Sequence, residues 1–461
     1  MDHPTKPTRV RVSVLLWLAV LAAIAYLSRT SITVAEETIR DDLGLTDDQM
    51  GYAMGAFFWT YALTQIPTAW LGQRFGSRWM LSLFAAASAL ATLQFSLAGS
   101  LAILITARML MGVAQAGTFP CATQSISHWF PIAERARASG TVSAAMSVGQ
   151  GIGVAITGLL IAGGVVLGLK LAGVGWRTTF ALFALPGFVW AIGFGWWFRN
   201  RPHEHPTTNA EEMELIRGSD LEEQNKGEPG EREPTPWGRL LASPAMWLIC
   251  GQQFFRAAGT AFFSTWFATY LRETRDVSLS LSGLMTALPV FAMMLAAFLG
   301  GVASDAVYRK TGSLNLARKG VASVSLLLCS VIVGGAYFVS DPLWAVLMIS
   351  LGVFAATFAG PCAYSITIDM GGRHVPAVFS TMNMVGNIGA AVFAMLVPRF
   401  RTGVESLAGR FSLGGDDPAH FSWSAVLLLF AAMFLAASLC WMRLKVEGTV
   451  FSRVQDDQPQ R

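Results

Sequence analysis

Charge is scarce in this 461-residue chain: Asp, Glu, Lys and Arg make up 13% of it, against 53% hydrophobic residues and a mean hydropathy of +0.49. Soluble domains carry roughly a quarter of their residues charged, so the composition excludes an ordinary water-soluble fold and points to a bilayer. Histidine is also rare. His3, His128, His203, His205, His374 and His420 fall in tails, loops or the ends of apolar runs, with no His-x-x-x-His, Ser-x-x-Lys or paired intramembrane Asp. Metal and covalent catalysis therefore lack their ligands and nucleophiles, and no enzyme, metal site or cofactor is expected. The H-x-H of PHEHP reads as solvated linker. The five cysteines, Cys121, Cys250, Cys329, Cys362 and Cys440, sit in or beside apolar runs at unrelated spacings. That excludes a disulfide framework and leaves them as small packing residues. The net charge of +4 implies no nucleic-acid partner, because most basic residues lie in short loops between apolar runs, as topology signals do.

Long apolar runs are abundant. With about 20 residues per helical span as the yardstick, spans fall near 12–35, 51–72, 79–98, 101–124, 137–163 and 177–198, and again near 244–271, 283–305, 320–339, 343–368, 378–398 and 422–442. The first run carries Arg29, lacks a cleavage site and is followed by many others, so it reads as a span rather than a signal peptide. The expectation is an all-α membrane protein of 12 transmembrane helices. It comprises an N-terminal tail (1–11), a six-helix bundle (12–199), a partly disordered, partly amphipathic linker (200–243), a second bundle (244–443) and a C-terminal tail (444–461). Lys and Arg gather before the first span and after the even-numbered ones, which predicts both termini in the cytoplasm. The acidic loop Glu36 to Gln49 then lies on the opposite side. Arg399, Arg401 and Arg410, between the last two spans, run against that pattern in a loop long enough to weigh little.

Both halves carry the same punctuation after their second span: GQRFGSR, Gly72 to Arg78, and GGVASDAVYRKTG, Gly300 to Gly312. A repeated half with matching turns is the trace of a transporter built from two bundles. These turns resemble the major facilitator superfamily. The stretches QIPTAWLGQRFGSR, RMLMGVAQAGTFP, HWFPIAERARASG, SDAVYRKTGSLNLARK and NMVGNIGA narrow the resemblance to its anion:cation symporter family, which includes hexuronate, galactonate and glucarate permeases and vesicular glutamate and sialic acid carriers. The likeness runs from about Leu15 to Met442. It implies two six-helix bundles around a cavity open to alternate sides of an inner (plasma) membrane, and a monomer moving small organic anions. The gating turns would comprise Gly72, Arg74, Gly76, Arg78, Asp305 and Arg309.

Arg29 stands alone in IAYLSRTSITVA, with no acid among its near neighbours. Arginine cannot escape its charge, so a buried one must meet water, a protein partner or an anionic ligand; the alternative is a snorkelling side chain at a helix end. The resemblance places Arg29 at the family's first-helix arginine, in Tyr-x-x-Arg-x-x-x-x-x-Ala. Arg256, about a dozen residues into the seventh span, matches an arginine of the vesicular glutamate carriers. As equivalents in the two halves, Arg29 and Arg256 are expected to face each other and clamp two acidic groups, or a carboxylate with hydroxyls. For Arg256 the alternative is satisfaction by backbone carbonyls in a broken helix. Arg108, in the family's Arg-x-x-x-Gly pattern, either touches substrate or pins helices through backbone oxygens. Tyr61, Gln65, Gln150, Asn383 and Asn387 are further family-matching polar positions that suit hydroxylated ligands. Two departures stand out: Ser28 and Gln115 occupy the positions where proton-coupled relatives carry Asp and Glu, and neither ionises near neutral pH. A co-transported cation or an exchanged anion would then have to balance the charge moved. Gln73 likewise replaces the usual Asp of the first-half turn. A receptor with a transporter fold is the remaining class.

Overall fold

The computed structural model describes residues 6–166, 169–217, 235–266, 270, 274, 279–339, 341–411 and 418–451. The linker's centre, most of the seventh span beyond residue 266 and the tail beyond residue 451 lie outside the described residues. In hydrocarbon every backbone N–H and C=O must be paired internally, and apolar runs of this length satisfy that condition as helices. Among the described residues ten helices are long and apolar enough to cross a bilayer. The second and seventh expected spans are helical too, over Asp47–Phe75 and Pro244–Thr265, but are not among the ten. Thr60, Thr64, Gln65 and Thr68 in one, and Gln252, Gln253 and Arg256 in the other, lower their hydropathy.

The chain divides into two compact units, Met1–Thr235 with Arg373–Ser380 and Pro236–Gly372 with Thr381–Arg461. The first contains α1 (Val10–Thr30), α2 (Ile32–Leu43), α3 (Asp47–Phe75), α4 (Ser77–Ser96), α5 (Leu101–Ala116), α6 (Thr118–Trp129), α7 (Ile132–Ala162), α8 (Gly175–Trp197) and the linker helix α9 (Ala210–Arg217). The polar stretch SRTSIT does not end the first helix. Ser28, Thr30 and Ser31 donate their hydroxyls back to Ile24, Tyr26 and Leu27 carbonyls at 3.0, 2.8 and 2.6 Å, so they stay within the helical fold. The chain remains helical to Leu43, where Gly44 stops it at φ 62°; most of the expected acidic loop is therefore helix. Ile32, Ile39, Met50, Phe95, Leu104, Trp176 and Phe180 form a core around that extension. α3 packs along α5, α4 along α8 and α1 along α7. At Gly112 of α5 a Cβ would lie 2.6 Å from the Phe57 carbonyl of α3, so only glycine allows that approach. On α8, Val189, Ile192 and Trp196 are 71%, 75% and 78% exposed, a stripe at helical spacing suited to lipid. A small antiparallel hairpin, β1 (Gly163–Val166) paired with β2 (Leu169–Ala172), departs from the all-α expectation.

The second unit holds α10 (Trp237–Ala242), α11 (Pro244–Thr265), α12 (Leu279–Thr311), α13 (Val321–Gly335), α14 (Pro342–Phe358), α15 (Gly360–Asp369), α16 (Val375–Phe411), whose stretch to Ser380 belongs to the first unit, and α17 (Pro418–Arg443). A π-helical turn, Asn315–Gly320, leads into α13. Here α13 and α11 pack on α17, and α12 packs on α14. α16 is longer than its apolar run, and Arg399, Arg401 and Arg410 lie on it rather than in a loop. The Arg401 guanidinium stacks 4.2 Å over the Trp423 ring and bonds Ser422, which holds its charge at the start of α17.

The described linker residues up to Thr235 belong to the first unit, and α10 belongs to the second. His205 is 4% exposed and meets the rings of Trp129 and Trp197 edge-on, so the H-x-H is not solvated at its second member. The aromatic tips at the ends of α6 and α8 supply its pocket.

Candidate functional site

Arg29 sits in an aromatic cage. Its guanidinium carbon lies 5.3 Å from the ring of Tyr26, one turn earlier on α1, and 4.6, 5.3 and 5.1 Å from Phe57, Phe58 and Tyr61 on one turn of α3. Ring faces attract a cation without neutralising it. Among the described residues Arg29 has no ion pair and no hydrogen bond. Arg108, from α5, lies over the same Phe57 ring at 4.9 Å and is 3% exposed. Its Nη1 reaches only the Met111 sulfur at 3.5 Å, and its buried Nε has no partner. Pinning through backbone oxygens is thus not what Arg108 does among the described residues. Two guanidiniums sharing one phenyl ring repel each other, and an anion between or beside them relieves that repulsion and accepts their orphaned donors.

Next to this pair lie the two positions that lack acids. Gln115, 1% exposed, donates its amide to the Ala25 carbonyl and to Ser88 Oγ, both at 3.2 Å. Ser28 donates to its own helix. Leu21, Ser28, Phe84, Ser88, Gln115 and Thr118 line a small cleft there. Gln115 therefore ties α1 and α4 to α5 as a neutral link. Gln65, fully buried on α3, has both amide atoms without a partner. Gln150 is half-buried on α7.

In the second unit Arg256 occupies the fourth turn of α11. Its Nη2 donates to Gln253 Oε1 at 2.9 Å, one turn earlier, while Nε is buried without a partner. No backbone carbonyl satisfies it among the described residues. Asn387 donates its amide to the Asn383 carbonyl at 2.8 Å on α16. The structure thus brings Arg29, Tyr61 and Arg108 together around Phe57, while among the described residues Gln65 has no hydrogen-bond partner and Asn387 turns back onto its own helix.

The turns divide unequally. Gly76 adopts φ +83° and its neighbour Arg78 is fixed by Asn200 and the Gly195 carbonyl at 2.9 and 2.7 Å. A Cβ at Gly72 would strike the Cys121 sulfur, and Arg74 is exposed beside Trp70. Gln73 accepts from Thr235 at 3.1 Å but leaves its buried amide nitrogen unpaired. In the second half Arg309 is exposed and does not pair with Asp305. Arg318 does: fully buried, it meets Asp305 and Asp369 at 2.9 Å each, and Ser304 Oγ at 2.7 Å. Sequence reading weighed Arg318 only as a topology marker. The cage residues Phe57 and Phe58 went unnoticed, although Tyr26 three residues before Arg29 and Phe57 four before Tyr61 have the spacing that stacks rings on one helix face. Gln253 had the same signal, standing three residues before Arg256.

Residues 18–398 match the sequence model of the Major Facilitator Superfamily. The "Probable sulfoacetate transporter SauU" of Cupriavidus necator is 31% identical over 382 residues, covering 82% of this chain and 85% of that one. The "Probable galactarate/D-glucarate transporter GudP" of Escherichia coli is 30% identical, covering 84% and 86%, and the D-galactonate transporter of Escherichia coli O6:H1 is 29% identical, covering 94% and 98%. Among solved structures, the proton:xylose symporter XylE superposes with a TM-score of 0.70 over 94% of this chain and 96% of its own at 13% identity. At that identity the likeness concerns the fold.

Proposed function

Since the chain belongs to the major facilitator superfamily, we propose that it carries small organic anions, sugar acids or related carboxylates and sulfonates, by alternating access across the inner membrane. The protein acts as a monomer with both termini cytoplasmic. The observation that carries this reading is the caged pair Arg29 and Arg108, two fixed charges on one ring with no acid to neutralise either among the described residues. An arginine kept only for stability is normally paired, as Arg318 is. Within the second unit Arg256 offers a guanidinium to an acidic group and Asn383 and Asn387 are candidate partners of hydroxyls, a role for which Gln65 and Gln150 are the candidates in the first. The test is ligand-induced thermal stabilisation against sulfoacetate, galactarate, glucarate and galactonate. Arg29→Ala should abolish the response and Arg29→Lys most of it, because lysine lacks the planar fork. Unchanged affinity in both variants removes Arg29 from the site.

A second reading concerns coupling. Ser28 and Gln115 are committed to neutral hydrogen bonds, which favours anion exchange or export over proton symport. Moving one net negative charge into a cell against 100 mV costs about 2.3 kcal/mol, and exchange cancels that term. A receptor that binds but does not transport would show ligand stabilisation without flux in liposomes.

A further inference from the structure

Arg256, half-buried, and Arg318, fully buried, are both arginines of the second unit, yet their acceptors differ in kind. Arg318 is enclosed by two carboxylates, Asp305 and Asp369, and its charge is consumed inside the protein. Arg256 is given one neutral acceptor, Gln253 Oε1 at 2.9 Å, and its Nε is left without any. Gln253 is itself 5% exposed and wedged against α16: a Cβ on Gly386 would lie 2.6 Å from its Cγ and 3.2 Å from its Nε2. Glycine at that position makes the space in which the amide is held. Its Nη1 also approaches the start of α15, where a Cβ on Gly360 would make ordinary van der Waals contact with it at 3.8 Å.

We infer that Gln253 is a positioning residue that fixes the plane of the Arg256 fork and, by being uncharged, leaves its charge for a second acidic group of the substrate. The inference rests on the reading of Arg256 as a substrate contact. A hydrogen bond from one of the five guanidinium donors restricts rotation about the end of a long side chain, and the rest remain available for a planar carboxylate or a sulfonate. A carboxylate in place of the amide would orient the fork equally well and compete with the ligand for it. The neutral acceptor thus sets specificity: diacids over monoacids, with no change in how the first acid is held.

Dissociation constants measured by calorimetry on the full-length protein in nanodiscs, for galactarate against galactonate and for sulfoacetate against acetate, test this. The wild type should prefer the dianion of each pair that it binds, and Arg256→Ala should erase the preference. Gln253→Glu should weaken the dianion by about 10- to 100-fold, the worth of one hydrogen bond to a charged group, while the monoanion stays within about twofold. Gln253→Met, similar in length but without an acceptor, should weaken it in the same direction and by less, as should Gly386→Ala. If Arg256→Ala erases the preference but both Gln253 variants keep it, the positioning role is overturned. If the wild type shows no preference, or Arg256→Ala leaves it intact, the substrate contact itself fails. The unaltered monoanion affinity reports that the Gln253 and Gly386 variants are folded, a result that mere loss of packing would not give.

Discussion

The buried carboxylate of Glu212 should be what fastens the linker to the start of α1. Arg9 occupies the N-cap of α1 and offers no side-chain acceptor, so the helix's first amides need another partner. Glu212, fully buried on α9, supplies it, accepting from the Val10 and Arg11 amides at 3.1 Å each, from Thr8 Oγ1 at 2.6 Å and from Arg11 Nη1 at 3.1 Å. Arg11 also reaches Glu134 of α7 at 3.1 Å, and Asn209 clasps the same strand by accepting from the Thr8 amide and donating to the Lys6 carbonyl. Glu212→Gln keeps shape and one acceptor oxygen but removes the charge facing the helix N-terminus and Arg11. Losing one charged hydrogen bond costs about 1.5 to 3 kcal/mol; Glu212→Ala removes every acceptor of the set but leaves Arg11 paired with Glu134, so it should cost more than Glu212→Gln and less than a buried charge left wholly unpaired. Hydrogen exchange of the peptide containing Val10 and Arg11 reads this directly, and Glu212→Gln should accelerate it by about 10- to 100-fold, since 1.4 kcal/mol is a decade. Unchanged exchange there would refute the argument that the linker caps the helix.

Other outcomes follow from the same geometry. Gln115→Glu, alone or with Ser28→Asp, should make transport in proteoliposomes depend on a pH gradient where the wild type responds instead to internal substrate; strong proton-driven uptake by the wild type would sink the exchange reading. Burial, and then Arg199, hold the His205 imidazole below its ordinary pKa. The unfolded chain therefore binds a proton that the folded one refuses, and stability is lost as pH falls below about 6.5. His205→Phe, which keeps the ring contacts with Trp129 and Trp197, should flatten the decline in melting temperature between pH 7.5 and 5.5, and an equal slope in both proteins would contradict this. Asp305→Asn combined with Asp369→Asn should destabilise by more than the sum of the single changes, by roughly 3 to 5 kcal/mol, because only the double variant leaves Arg318 without an acid; additive losses in denaturation would show another group compensating.

What the sequence made legible was whatever is written as a period or an isolated charge. Apolar runs located the helices, and Arg29, Arg108 and Arg256 announced themselves as fixed charges in such runs. The ends were less legible. The helical path continues through α2 past the first apolar run because hydroxyls bond back to the helix, and α16 outlasts its own where Arg401 stacks on Trp423. Both are tertiary or side-chain effects that a hydropathy window does not weigh. Likewise His205 looked like linker, since the rings that bury it come from helices far away in sequence.

The two halves also differ in a way that one turn motif conceals. In the second, Asp305 belongs to a closed set in which Arg318 is answered by two acids within one unit, so its charge is satisfied whatever the rest of the protein does. In the first, the equivalent Gln73 has no charge to satisfy, and its carbonyl is met by Thr235, at the end of the linker, which also lies 3.4 Å from His374 Nδ1. A neutral bond of this kind contributes about 1 kcal/mol, against several for a buried ion pair. If these turns gate transport, the first-half one, tied here by a neutral bond, should yield before the second. Gln73→Asp would test the asymmetry: a carboxylate beside the Thr235 hydroxyl should slow exchange of substrate while leaving its affinity unchanged, and unaltered turnover would show that this turn does not gate.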